Sequence, residues 1–200
     1  MIPFDAVILA GGRGSRLGGV AKADLHLGGA RLVDRAASAA RGIGAERVVI
    51  VGPDGAASRG TVLVREDPPF SGPLAAVAAA LPELTGEWTL LLSCDLVHPD
   101  LVCRRLVRAL GALTADDSAD GVVLQDDDKR AQWLSGVHRT AALRSAVADL
   151  GGDLADRPIR RLFAEGRLRR IDAPTWETAD IDSADDLAAA RRVTRVDGGR

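Results

Sequence analysis

No tyrosine occurs in this chain of 200 residues, and aromatic residues make up only 3% of it. That scarcity argues against a stacking platform for single-stranded nucleic acid. An excess of one charge is missing too: 26 Lys and Arg face 28 Asp and Glu, a net −2. So even a balance offers no electrostatic footprint for nucleic acid or an anionic membrane. The apolar runs are too short to cross a bilayer. Asp5 interrupts the basic-then-apolar order of a signal peptide. Only two cysteines are present, Cys94 and Cys103, and they form no Cys-x-x-Cys pair. Two reduced thiols in the cytoplasm are the expectation. His26, His98 and His138 have no metal-ligand spacing and are assigned no catalytic role. A Gly-x-Ser-x-Gly elbow is absent, which weakens a hydrolase reading.

What the chain does have is a glycine-rich basic loop. The apolar run Val7-Ile8-Leu9-Ala10 leads into Gly11-Gly12-Arg13-Gly14-Ser15-Arg16-Leu17-Gly18-Gly19, with Lys22 just beyond. An apolar run ending in glycines reads as a buried strand feeding a loop. Glycines let backbone N–H groups approach a phosphate, and Arg16 and Lys22 add positive charge. Neither standard phosphate motif fits. A dinucleotide fingerprint from Gly12 needs glycine where Leu17 stands, and Lys22 is followed by Ala23 where a P-loop needs Ser or Thr. The loop therefore suggests a nucleoside triphosphate held in another way.

Hydrophobic periodicity predicts strands over 4–10, 47–51, 61–64 and 88–93, with helices over 31–43, 74–84 and 101–113 between and after them. Alternating strand and helix is the pattern of a three-layer α/β fold with a mostly parallel sheet. Further on, strands are expected over 121–124 and 132–137, joined by an acidic turn at Asp126-Asp127-Asp128, which reads as solvated. Helices over 140–150, 158–165 and 183–193 and a short strand over 168–171 complete the reading. No linker splits the chain, so residues 1–193 are read as one domain and 194–200 as a frayed tail.

In an open parallel sheet, ligands bind beyond the carboxyl ends of the strands. That rule brings the glycine loop, Asp67 and Asp95 to one crevice. Asp95 is the expected Mg²⁺ ligand, since a hard cation binds through carboxylates and phosphates; the competing reading is a cap for the following helix. Asp180 and Asp182 either bind metal or belong to a helix start, because Ser183 and Asp186 resemble a capping box. Glu66 is expected to face solvent.

Together these segments resemble molybdenum cofactor guanylyltransferases. The resemblance rests on Leu9-Ala10-Gly11-Gly12-Arg13-Gly14-Ser15-Arg16-Leu17-Gly18-Gly19 with Lys22, on Asp67 followed by Gly72-Pro73-Leu74-Ala75, on Ser93-Cys94-Asp95, and on Asp180-Ile181-Asp182-Ser183-Ala184-Asp185-Asp186-Leu187. It implies a Rossmann-like, nucleotide-diphospho-sugar transferase fold and transfer of GMP from GTP to molybdopterin with release of pyrophosphate. Carried to this chain, it implies that Leu9, Ala10, Gly11, Gly12, Gly14, Lys22, Asp67 and Gly72 bind the nucleotide. Arg16, Lys22 and Asp95 would be catalytic, and Asp95 with Asp182 would hold Mg²⁺. Several positions depart from the family pattern: Ala21, Gly52, Leu96-Val97, Gln132-Trp133, and above all Asp180 and Asp182 where the family has asparagines. The two aspartates resemble cytidylyl-transferring relatives, whereas Gly11-Gly12 leaves room for a purine. A cytidylyltransferase, a sugar-phosphate nucleotidyltransferase and a silent nucleotide-binding module are the alternatives.

Overall fold

The computed structural model describes residues 2–12, 21–113 and 118–197, with side chains through residue 193. Seven strands form one sheet: β1 (Phe4–Leu9), β4 (Val48–Val51), β5 (Val62–Val64), β6 (Trp88–Ser93), β7 (Gly121–Gln125), β8 (Ala131–Arg139) and β9 (Leu168–Asp172). A two-stranded hairpin, β2 (His26–Leu27) and β3 (Ala30–Arg31), follows the glycine loop. Sequence reading missed this hairpin, whose strands are too short for any periodicity to register. The main sheet has the order β5-β4-β1-β6-β8-β7-β9. Every neighbouring pair is parallel except those that include β8, which runs against β6 and β7. Strands from both halves of the chain thus share one sheet.

The α-helices of the described residues are α1 (Leu32–Gly42), α2 (Gly72–Ala80), α3 (Pro99–Gly111), α4 (Thr140–Leu150) and α5 (Ala184–Asp197), the first four flanking the sheet. Strand side chains alternate between faces, and the core divides accordingly. Ala6, Ile8, Ala10, Leu90 and Leu92 pack with α1 and α3. Val7, Leu9, Val49, Val51 and Leu91 pack with α2 and α4. The expected three layers are present. The helix expected over 158–165 is only a short 3-10 turn, Ile159–Phe163. The expected tail from 194 is helical to Asp197, because α5 runs past Val193; 198–200 lie outside the described residues. No helix among the described residues is long and apolar enough to cross a membrane.

A third cluster docks α5. Leu27, Leu32, Val97, Ile181, Leu187 and Ala190 pack together, with Ile181 fully buried. Burying Ile181 leaves its chain neighbours Asp180 and Asp182 outside that cluster.

The β7–β8 pair holds a close contact. His138 pairs with Gly121 and stands two residues from Gly136, so its ring lies across both glycines. Phe163 stacks on it, with centroids 4.6 Å apart. A Cβ at Gly136 would meet His138 Nε2 at 2.5 Å and the Val122 carbonyl at 2.9 Å. Gly136→Ala is therefore expected to destabilise the fold by about 1–3 kcal/mol; an unchanged denaturation midpoint would remove this packing argument.

Candidate functional site

Strand parity positions the site. At the end of β1, Leu9 points to the α2 layer, and Ala10, one residue beyond the strand, to the α1 layer. On β6, Leu91 points to the α2 layer, and Ser93 shares its parity. The chain leaves β1 and continues to β4 and β5 on one side, then returns to β6 on the other. Such a reversal opens a crevice at the carboxyl ends. A cavity of about 570 Å³ lies there, lined by Leu9, Gly11, Gly12, Glu66, Phe70 and Gly72 among others. Ala10 is buried beneath it, so only its backbone is available. The glycine at 52 follows from close approach: a Cβ there would sit 3.2 Å from Ala10.

Glu66 is the residue sequence reading placed wrongly. It is 6% exposed, not solvated. Its Oε1 accepts the Phe70 N–H at 2.9 Å, and its Oε2 is buried with no partner among the described residues. Asp67 is exposed and does not line this cavity. The signal was available: Val62 and Val64 face the α2 layer, and a period of two carries Glu66 to that same side.

Ser93 links the cavity to a charged cluster. Its hydroxyl donates to Asp95 Oδ1. Lys22 Nζ donates to Asp95 Oδ2 at 2.7 Å and to Asp182 Oδ1. Asp95 is buried, while the Asp182 side chain is 52% exposed. The Ile181 N–H donates to the Asp95 carbonyl at 3.0 Å, and the Val97 N–H to that of Ala179 at 2.9 Å. This short antiparallel contact, centred on Leu96 and Asp180, sets three carboxylates together. One oxygen each from Asp95, Asp180 and Asp182 lie within 4.8 Å of one another. An all-oxygen, acidic donor set suits a hard divalent cation.

The electrostatics follow from this crowding. Burial lowers the proton affinity of Lys22, but the hydrogen bonds that it donates to Asp182 and Asp95 outweigh this and hold the ammonium above its ordinary value. Burial, with repulsion from Asp95 and Asp182, raises Asp180. Burial likewise pushes the Cys94 thiol up and Cys103 up to about 12, so neither is a ready nucleophile.

Other expectations resolve locally. Ser183 and Asp186 form the reciprocal pair at the start of α5: the Ser183 N–H donates to Asp186 at 2.8 Å, and the Asp186 N–H to Ser183 Oγ at 3.2 Å. The capping role is thus filled without Asp180 or Asp182. His98, not Asp95, precedes α3. The acidic turn is only partly solvated. Asp126 is buried, accepting from the Arg130 N–H and Gln132 Nε2, and Asp127 binds Thr175. Gly14 and Arg16 lie outside the described residues. A second cavity of about 440 Å³ is lined by Asp120, Gly166 and Phe163, at the opposite, amino edge of β7 and β9.

The family model of the MobA-like NTP transferase domain matches residues 6–171. A molybdenum cofactor guanylyltransferase of Pseudomonas syringae pv. syringae is 36% identical over 111 residues, covering 54% of this chain and 54% of that protein. One from Cupriavidus necator is 31% identical over 201 residues, covering 92% and 94%. The chain thus spans about half the length of the first curated relatives it matches and nearly all of the Cupriavidus protein. Among solved structures, a nucleotidyl transferase from Methanothermobacter superposes with a TM-score of 0.76 at 20% identity, covering 98% of this chain and 99% of that one. The glycine loop feeding a cavity at the reversal of a mostly parallel sheet, and the match across most of its length, establish that this chain belongs to the MobA-like NTP transferase family.

Proposed function

We propose that this protein is a nucleotidyltransferase that moves GMP from GTP to molybdopterin and releases pyrophosphate, acting in the cytoplasm as one catalytic unit over residues 1–193. One observation carries the reading: a base-sized cavity, lined by a buried carboxylate with one oxygen unpartnered among the described residues, connects through Ser93 to a lysine and three carboxylates. The two free, buried thiols fit a reducing compartment.

Each side chain has a role in this proposal. Leu9, Gly11 and Gly12 form the floor under the nucleoside, and Gly72 the wall at the start of α2. Glu66 Oε2 accepts from the guanine N1–H and N2–H₂. Lys22, with Arg16 from the loop, neutralises the triphosphate. Asp95, Asp180 and Asp182 would hold Mg²⁺, which when bound supplies further charge neutralisation at the phosphates. No nucleophilic side chain is required, because positioning and charge stabilisation suffice for phosphoryl-type transfer. Asp67, exposed beside the cavity, is left with the ribose side at most.

Glu66→Gln replaces an acceptor by a group whose NH₂ faces the guanine donors. GTP affinity is expected to fall by about tenfold or more, since a hydrogen bond to a charged partner is worth about 1.5–3 kcal/mol. Calorimetric titration with GTP and ATP checks it; an equal loss for both nucleotides would sink the base-reading role. The reaction itself is tested by pyrophosphate release from GTP, CTP, ATP and UTP with molybdopterin and a panel of sugar phosphates. Release with CTP in preference to GTP overturns the guanylyl assignment, and release with none of them leaves a binding module.

A further inference from the structure

We propose that Trp176 is the stacking platform for the heteroaromatic ring of the acceptor. This rests on the reading of that acceptor as a phosphorylated pterin. The indole is 58% exposed, more than any other large apolar side chain among the described residues. Its backbone is nevertheless tightly fastened. Thr175 donates to Asp127 through both its N–H and its hydroxyl, each at 2.9 Å. Glu177 is buried and takes two hydrogen bonds from the Arg105 guanidinium at 2.6 Å. The Glu177 and Thr178 N–H groups close a turn on the Pro174 carbonyl. His98 meets the indole edge-on, with centroids 5.5 Å apart. A rigid turn that leaves a tryptophan in solvent is preorganised for a flat partner.

Its place in the fold names that partner. Asp127 follows β7 and Thr175 follows β9, so the turn stands at the carboxyl edge of the sheet, the edge that holds the site. Along that edge the nucleotide cavity runs from β5 and β1 to Ser93 of β6 and Leu134 of β8, Asp95 follows β6, and Trp176 stands toward β7 and β9. Asp95 and His98 are three residues apart, which limits their separation to about 10 Å. Residues 95–97 lie against 179–181, and His98 and Trp176, which pack together, follow the one segment and precede the other; neither lines the base cavity. A phosphorylated ring with its phosphate at the carboxylate cluster would project its ring this way. Phe70, the exposed aromatic at the other end, lines the nucleotide cavity instead.

The test uses the full chain with Mg²⁺, a non-transferable α,β-methylene analogue of GTP, and neopterin monophosphate as the probe. Trp176→Ala is expected to weaken probe binding about tenfold, the usual worth of one aromatic stack. Trp176→Phe should restore most of it, and the GTP analogue's Kd and the melting temperature should stay unchanged in both. A probe Kd in Trp176→Ala equal to that of the unaltered protein overturns the inference. So does a parallel loss of the GTP analogue, which marks a structural role. Probe binding that depends on Trp176, without pyrophosphate release from GTP, would overturn the proposed reaction and leave the platform standing.

Discussion

Asp95→Asn is expected to lower turnover by about 10²–10³-fold, the scale seen when a group that stabilises transition-state charge is removed. Asparagine is nearly isosteric, so the Ser93 hydroxyl keeps an acceptor and the main-chain contact from Ile181 is untouched. What disappears is the only buried charge of the three-carboxylate cluster, and with it the 2.7 Å ion pair that places Lys22. The lysine would then keep only Asp182 as a charged partner, and the divalent cation only Asp180 and Asp182, from more exposed positions. The measurement is pyrophosphate release at rising Mg²⁺, with the melting temperature recorded alongside. Turnover within threefold of the unaltered protein would remove Asp95 from the chemistry.

Stability is expected to fall by about 2 kcal/mol between pH 8 and pH 5 on account of His138 alone. The ring is buried between the Gly121–Gly136 backbone and Phe163, and neither nitrogen has a hydrogen-bond partner among the described residues. Burial lowers its pKa from 6.5 to about 3. The unfolded chain therefore binds a proton below pH 6.5 that the folded chain refuses until about pH 3. Stability rises with pH through that window and is lost as pH falls from 6.5. His138→Phe keeps a flat ring over the glycines and removes the titration, so its stability between pH 8 and pH 5 should be flatter by about that amount. Urea denaturation at several pH values is the check. Identical slopes in both proteins would show that the ring is protonated in the fold or reaches water.

Much of the site was legible along the chain because its determinants are local. Glycines after an apolar run mark a strand end whatever surrounds them, and β1 with Gly11 and Gly12 formed as the pattern requires. The same holds for β6 leading to Asp95 and for the Ser183–Asp186 pair, which needs only residues three apart. Glu66 is legible in the same way: the period of two through Val62 and Val64, carried two residues past β5, turns it inward, while Asp67 is exposed because the chain has left the strand by then. The acidic turn misled because Asp126 is shielded by partners on β8 and the turn, which composition does not reveal.

The sequence by itself determined the alternating elements, the glycine loop at the end of β1 and the helix start at Ser183, since each depends on spacing within a few residues. Tertiary structure alone decided that β8 inserts beside β6 and runs against it, and that Asp180 and Asp182 join Asp95 from the far end of the chain. It also decided that Trp176 stands at the carboxyl edge beside His98. The physical reason is the burial of Ile181 against Val97, Leu27 and α5. A lone isoleucine between two aspartates carries no directional signal until a distant apolar surface receives it; once it is received, both flanking carboxylates must turn the other way.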